Sequence, residues 1–351
     1  MKILIASGIY PPDIGGPAQY ARNLYENWKK EGHDVKVAAY RWERAFPPIV
    51  RHFLYFLKII RKGWNADLIF VLDTWSAAVP TMFACKIMRK KYIIRTGGDF
   101  LWESYIERTG DLVLFRNFYK EKLNNLTRKE KFIFKWGGES LRKASAIIFS
   151  TEWQRKIFES AYRLNTDKNY IVENYCGERR EFVKPDNRSF VAGTRTLKWK
   201  NVEFLKQAFS EASSLVKNKN LPSIDLDCGK AVYDSFVEKL HHSYAVILVS
   251  LGDISPNMIL DAIQVGTPFI LTKENGISDR VKDCAIFVDP LDKEDIKNKI
   301  VWLSDPQNWA IQAEKVRKFT WTHTWNQIGQ EIIKIWEKSC SEQKRLTKHE
   351  K

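Results

Sequence analysis

Cysteine is sparse in this chain and never closely spaced. The five cysteines stand at Cys85, Cys176, Cys228, Cys284 and Cys340, so no Cys-x-x-Cys spacing exists for a structural metal or a redox couple. Free thiols in a reducing compartment are expected. Glycine (17) and proline (12) are too few for a collagenous or linker-like chain. Long apolar runs are missing as well. Lysine or arginine interrupts each one before the roughly 20 residues that a bilayer span requires. The run that opens the chain is too short for a signal peptide. The expected location is the cytoplasm, with peripheral attachment to the cytosolic face of a membrane left open.

Acidic side chains are the other shortage. Asp plus Glu is 42 against 57 Lys plus Arg, a net charge of +15, which points to an anionic partner. The excess is uneven. Residues 1–150 hold 26 basic and 14 acidic side chains, a net +12, and the remaining 31 and 28 leave +3 for residues 151–351. What is plentiful is ordinary: 44% hydrophobic and 28% charged residues, a globular composition. At about 150 residues per domain, 351 residues make two domains.

Periodicity supports two alternating α/β series with no internal repeat. In the first, residues 2–7 read as a buried strand, 8–17 as a glycine-containing loop, 18–31 as a helix and 34–39 as a strand. Tyr20, Ala21, Leu24, Tyr25 and Trp28 lie at helical spacing. Further strands are expected at 67–72, 92–96 and 146–150. In the second series, strands are expected at 189–192, 224–227, 245–250 and 268–272. Helices are expected at 202–216, 231–240, 256–265 and 293–303, and an amphipathic helix from 325 to about 338 closes the chain. The pattern predicts two doubly wound parallel sheets with a boundary near 180–187. Ligands of such sheets lie outside the carboxyl ends of the strands.

Four loops carry candidate chemistry. Gly15 and Gly16 let backbone N–H groups approach an anion at a helix start, or make a plain tight turn. Their spacing fits neither the dinucleotide nor the P-loop fingerprint. In Leu251–Asp261, Ser255 is the expected N-cap and Pro256 the first helical residue. The free N–H groups about Asn257 then face the strand ends. Asp253 lies in that loop. Asp261 lies inside an apolar helix, where it either meets a ligand hydroxyl or is a solvated or salt-bridged acid. The stretch from Gly193 to Asn201 follows a strand and places Arg195, Lys198 and Lys200 within six positions, either a diphosphate site or a solvated basic loop. Asp99 follows Gly97 and Gly98 and either orients a sugar hydroxyl or caps the next helix.

In this order the motifs resemble the retaining glycosyltransferases of the GT-B fold, specifically glycosyltransferase family 4. The resemblance covers nearly the whole chain. It rests on "YPPDIGGPAQYARNL" and "GHDVKV" near the start and on "WKN" at 199–201, which looks like the family's "WKG". It rests also on "DISPNMILDAIQVGTPFILT", which looks like the acid–seven residues–acid motif with Asp253 and Asp261 as its acids. Both acids are Asp where the family usually has Glu. Arg195 stands five residues before Lys200, where the family's arginine is usually six before. The donor domain is short enough that a strand is expected to be missing.

The resemblance implies two Rossmann-like domains facing a cleft, with a C-terminal helix crossing back. Residues 1–182 would bind the acceptor and 183–324 the donor, with the helix at 325–340 and a polar tail at 341–351. It implies a nucleoside diphosphate sugar as co-substrate, no metal and no further cofactor, and a glycan or lipid-linked acceptor in polysaccharide or glycolipid synthesis. Arg195 and Lys200 would neutralise the diphosphate. Gly15, Gly16, Gly193, Ser255, Pro256 and Asn257 would line the donor. Asp253 would bind donor-sugar hydroxyls, Asp261 the ribose, and Asp99 would join them in catalysis. Residues 41–64 carry six basic side chains and one acid, and residues 116–143 carry nine and three, each interleaved with aromatics. Such faces suit an anionic membrane surface. A basic α/β protein that binds nucleic acid stays as an alternative, although no nucleic-acid motif accompanies the charge and none is expected as partner. A degenerate family member that binds nucleotide without turnover is the other.

Overall fold

The computed structural model describes residues 1–13, 15–192, 197–229 and 233–349. Its first strand, β1 (Lys2–Ser7), is buried from its second residue on, as a central parallel strand covered on both faces must be. There follow α1 (Gly16–Lys30), β2 (Asp34–Ala39), a 3-10 turn at Trp42–Ala45, α2 (Pro48–Gly63), β3 (Leu68–Leu72), α3 (Ala78–Met88) and β4 (Ile93–Arg95). The chain continues through α4 (Phe100–Thr109), α5 (Phe115–Glu121), α6 (Arg128–Lys143), β5 (Ala146–Phe149), α7 (Glu152–Tyr162) and β6 (Asn169–Ile171). The second series has β7 (Ser189–Ala192), α8 (Val202–Asn218), β8 (Asp225–Asp227), α9 (Tyr233–His241), β9 (Ala245–Leu248), α10 (Asn257–Val265) and β10 (Phe269–Thr272). It ends with α11 (Ser278–Val281), β11 (Ile286–Val288), α12 (Lys293–Ser304), α13 (Pro306–Lys318) and α14 (Trp325–His349).

These elements form two compact units. One comprises Met1–Leu101, Lys122–Glu173 and the chain from Thr324 on, the other Trp102–Glu121 and Asn174–His323. The first unit holds a six-stranded sheet in the order β2-β1-β3-β4-β5-β6. Its pairs are parallel, and Ile5 of β1 lies between Val37 and Phe70. The second holds a five-stranded sheet in the order β11-β10-β9-β7-β8, where Val191 of β7 pairs in parallel with Asp227 and Val246. Alternation along β7 builds a core on each face: Phe190 packs with Phe209, Tyr244 and Ile300, while Val191 packs with Val246, Leu260 and Phe269.

In each sheet the order in which the chain adds strands reverses once. In the first unit the chain leaves β1 for β2 on one side and then crosses to β3 on the other. In the second it leaves β7 for β8 and then crosses to β9. The loops after β7 and β9 therefore flank the topological switch point of the second sheet, the place where doubly wound sheets bind ligands.

Several boundaries differ from the sequence reading by a residue or two, and four differences bear on the site or the closing helix. Helix α1 starts at Gly16, two residues early, because Gly15 adopts φ +154° as its N-cap and Pro17 fits the first turn. Helix α10 starts at Asn257, with Pro256 as N-cap and no side-chain cap. Ser255 is thus not the N-cap. The segment Trp102–Glu121, read as part of the first domain, groups with the second unit. The last helix runs to His349 rather than giving way to a tail near residue 341. It packs in the first unit as the resemblance implied: Tyr20 meets Trp325 edge-on at 5.1 Å, and Trp28 Nε1 donates to the Gly329 carbonyl at 3.3 Å. A side chain at 329 would meet that indole nitrogen at 2.8 Å, so the crossing requires glycine.

Candidate functional site

Two loops of the second unit converge at its switch point. After β7, the turn Lys198–Lys200 buries Trp199 and leads into α8 through Asn201, whose left-handed φ of 59° asparagine tolerates. After β9, residues 249–256 lead into α10. The Leu251 N–H donates to the Trp199 carbonyl at 2.9 Å and ties the loops together. At this junction Lys200 Nζ lies 2.6 Å from Asp253 Oδ2. Both side chains are mostly buried, 17% and 13% exposed. The Lys200 ammonium also stands 4.3 Å from the Trp199 ring centroid.

A third loop joins them. The Asp253 N–H donates to the Glu274 carbonyl at 2.9 Å, and the Gly276 N–H donates to the Asp253 carbonyl at 3.1 Å. Glu274, just past β10, has a buried side chain that pairs with the Arg116 guanidinium of α5. Burial raises the Glu274 carboxyl above its ordinary range, and the Arg116 charge opposes that rise. The sequence reading missed this pair. The only signal was an acid directly after an apolar strand, beside Asn275–Gly276.

The Trp102–Glu121 segment lies on these loops. Phe115 N–H donates to the Leu251 carbonyl at 3.1 Å, and Lys198 donates to Glu107 through its backbone N–H at 2.7 Å. Trp102 packs between Phe115 and Trp199, at 5.1 and 5.6 Å between centroids. Gly252 makes room: a Cβ there would lie 2.5 Å from Phe115 Cβ.

Four buried polar atoms on these loops have no hydrogen-bond partner: Trp199 Nε1, Ser250 Oγ, Ser255 Oγ and Glu274 Oε2. Buried polar groups are nearly always satisfied. Four such atoms lie together on these three neighbouring loops. The start of α10 adds unsatisfied backbone N–H groups, which favour an anion. Asn174 donates there to the Ser255 carbonyl and to Asn257 Oδ1, at 3.3 and 3.1 Å. Asp261 is buried one turn further on, with Gln264 Nε2 at 3.5 Å.

The structure thus brings Lys200, Asp253, Ser255, Pro256, Asn257 and Asp261 to one end of one sheet. Gly193 and Arg195 lie outside the described residues. Gly15, Gly16 and Asp99 belong to the first unit. There Gly15 needs glycine for its positive φ, and Ile9 Cδ1 stands 3.1 Å from where a Cβ would be. Asp99 is buried immediately before α4, and its loop is held by Gln154 Nε2 donating to the Gly97 carbonyl at 2.7 Å. Among the described residues no group of three His, Cys, Asp or Glu side chains could hold a metal. No helix among them is long and apolar enough to cross a membrane.

No family model and no curated protein matches the chain in sequence. Solved structures do match in fold. Sucrose-phosphate synthase from Thermosynechococcus elongatus aligns at TM-score 0.69 and 13% identity, over 97% of this chain and 99% of that one. HepE of Anabaena, in complex with UDP and glucose, aligns at TM-score 0.67 and 13% identity, over 95% and 98%. WaaG, a glycosyltransferase involved in lipopolysaccharide biosynthesis, aligns at TM-score 0.64 and 11% identity, also over 95% and 98%. The fold expected from the motifs, GT-B, is the fold this chain has.

Proposed function

We propose that this GT-B protein is a retaining glycosyltransferase. It moves a sugar from a nucleoside diphosphate sugar to a glycan or lipid-linked acceptor, in polysaccharide or glycolipid synthesis. The observation that carries this reading is the Lys200–Asp253 pair at the switch point of the second sheet, among buried polar atoms that lack protein partners. A cation, a helix N-terminus and hydrogen-bond donors are what a diphosphate selects, and a carboxylate beside them suits sugar hydroxyls. Similarity in fold to HepE, solved with UDP and glucose, fits the same assignment.

In this reading Lys200, with Arg195, neutralises charge on the leaving diphosphate. Backbone N–H groups at Ser255–Asn257 add to that stabilisation, and Gly193 lines the donor as the resemblance implies. Asp253 exchanges its pairing with Lys200 for donor-sugar hydroxyls, and Asp261 takes the ribose. Gly15, Gly16 and Asp99 of the first unit keep the roles implied by the resemblance. The acceptor hydroxyl oxygen bonds to the anomeric carbon on the face from which the diphosphate departs. The carbon–oxygen bond to the diphosphate breaks, and a leaving phosphate oxygen takes the hydroxyl proton. No protein nucleophile and no metal is needed.

A thermal-shift screen with uridine, guanosine, adenosine and thymidine diphosphates tests the reading. One nucleotide should raise the melting temperature, by mass action on the folded state, and its sugar conjugates should then be turned over. Chelator should leave turnover intact. If no nucleotide shifts the transition, the donor assignment fails. Complete, metal-reversible inhibition by EDTA removes the metal-free mechanism.

A further inference from the structure

We propose that residues 42–57 form an apolar wedge that seats the first unit in the interface of an anionic bilayer. The inference does not rest on sugar transfer. Trp42, Phe46, Ile49, Phe53 and Leu57 are 60, 42, 86, 57 and 44% exposed. Single exposed apolar residues need no explanation, but a contiguous patch does. On α2, Ile49, Phe53 and Leu57 share one exposed helical face that Trp64, the C-cap residue, extends, while Tyr55, Ile59 and Gly63 are buried on the other. Between the 3-10 turn and that helix, the whole stretch from Arg44 to Val50 is exposed, including Pro47 and Pro48.

The patch extends to α6 through a chain of rings. His52 on α2 meets Trp75 at 6.0 Å, Trp75 meets Phe132 at 5.8 Å, and Phe132 meets Trp136 at 6.1 Å. Phe132 is 55% exposed. Around it Arg128, Lys129, Lys131 and Lys135 are exposed, with no ion-pair partner among the described residues.

The charge of the wedge has one sign. Its single acid, Glu43, is fully buried and paired with Lys58. Lys58 and Lys62 reach the carbonyls of Ala39 and Val37 on β2, and Arg44 is paired with Asp13. Arg51 and Arg61 complete the wedge's basic rim. Exposed aromatic and aliphatic side chains flanked by lysine and arginine suit acyl chains beneath anionic headgroups. A second copy of the chain docking by the same patch would set two positive faces together, which opposes that association.

Vesicle flotation decides it, using phosphatidylcholine alone and phosphatidylcholine with phosphatidylglycerol. The full chain should float with the mixed vesicles at about 0.1 M salt. It should stay partly bound at about 1 M, where the Debye length is only about 3 Å, because the wedge is apolar. A Phe46→Ser, Ile49→Ser, Phe53→Ser variant should lose binding on the order of a hundredfold with an unchanged melting temperature, since all three side chains are exposed. A Lys129→Glu, Lys131→Glu, Lys135→Glu variant should lose the preference for phosphatidylglycerol. The proposal falls if the wild type ignores both vesicles, or if the serine variant floats as the wild type does. It also falls if the wild type is a soluble dimer that the serine changes dissociate. No nucleotide or sugar enters the assay, so its outcome is separate from that of the transferase reading.

Discussion

Lys200 and Asp253 stand 53 positions apart in the chain, yet their side chains meet at 2.6 Å. Sequence reasoning assigned them to two different groups of the same ligand. In this structure each is the other's counter-ion. Lys200→Ala should therefore lower turnover by about 10²–10³-fold and leave Asp253 without its cation, while Asp253→Asn mainly reduces transfer and spares nucleotide affinity. Because the two form one unit, their effects on folding should be strongly non-additive. Full additivity in denaturant titrations would show that the pair does not exist in solution. Unchanged turnover in Lys200→Ala would remove the diphosphate assignment.

Ser255 should respond in the opposite way to most buried residues. Its hydroxyl is buried without a partner, so Ser255→Ala should leave stability unchanged or raise it by up to about 1 kcal/mol. Nucleotide affinity, read by calorimetric titration, should fall several-fold. A variant that is destabilised with normal affinity would make Ser255 a structural residue.

Gly252→Ala should disturb the segment that lies on the loops after β7 and β9. The added methyl would lie 2.5 Å from Phe115 Cβ and 3.2 Å from the Trp102 ring. An overpacking cost of about 1–3 kcal/mol is expected, with faster proteolysis within residues 102–121. Wild-type stability and protease resistance in this variant would contradict the packing described.

Thiol chemistry gives a check on burial. Burial pushes the Cys85 and Cys284 thiols up to about 12, and Cys176 is fully buried. Cys228 and Cys340 are partly exposed. A thiol reagent at mildly alkaline pH should modify two cysteines quickly and all five only after denaturation. Rapid modification of three or more would show the core to be looser than described.

Acid should act on the glycine loop. The Arg44 guanidinium beside Asp13 pulls its carboxyl down to about 2. The charged form is the one the fold favours, so its contribution is present above about pH 4 and is lost as pH falls toward 2. The site is largely open to solvent, and the effect should be small and screened by salt. Asp13→Asn should narrow the stability gap to wild type as pH drops through that window, and a gap that widens instead would reverse the sign.

Much of this was legible in the sequence. Uninterrupted apolar strands such as Lys2–Ser7 and Ala245–Leu248 announce themselves, and Gly266, at φ 76°, ends α10 where the reading placed it. Short edge strands carry too few residues for a pattern, and β6 and β11, three residues each, were not foreseen. The helix start at α10 was misread by one residue, because Ser before Pro satisfies the capping rule locally. Pro256 instead takes φ −70°, as its ring requires, with an extended ψ of 103°, which puts it outside the helix. In the site, the acids and the lysine could be picked out by spacing. Arg116 could not, because its partner Glu274 lies 158 residues away. The basic run in which it stands read as a single surface, whereas Arg116 belongs to the second unit and is spent there on the buried Glu274 carboxylate.

The path of the chain sets an order on its synthesis. Helix α1 is among the first elements made, yet the indole of Trp28 has its acceptor at Gly329, 301 positions later. The first unit cannot close its hydrogen bonds until almost the whole polypeptide has left the ribosome. The second unit, whose last residue is His323, has all its parts before the closing helix emerges. No single cut separates two self-sufficient halves: a fragment ending at residue 173 would lack α14 and leave Trp28 and Tyr20 facing water. The two units are not a tandem that one could lengthen, shuffle or express piecemeal: the first needs chain that follows the second, and the second needs residues 102–121, which interrupt the first.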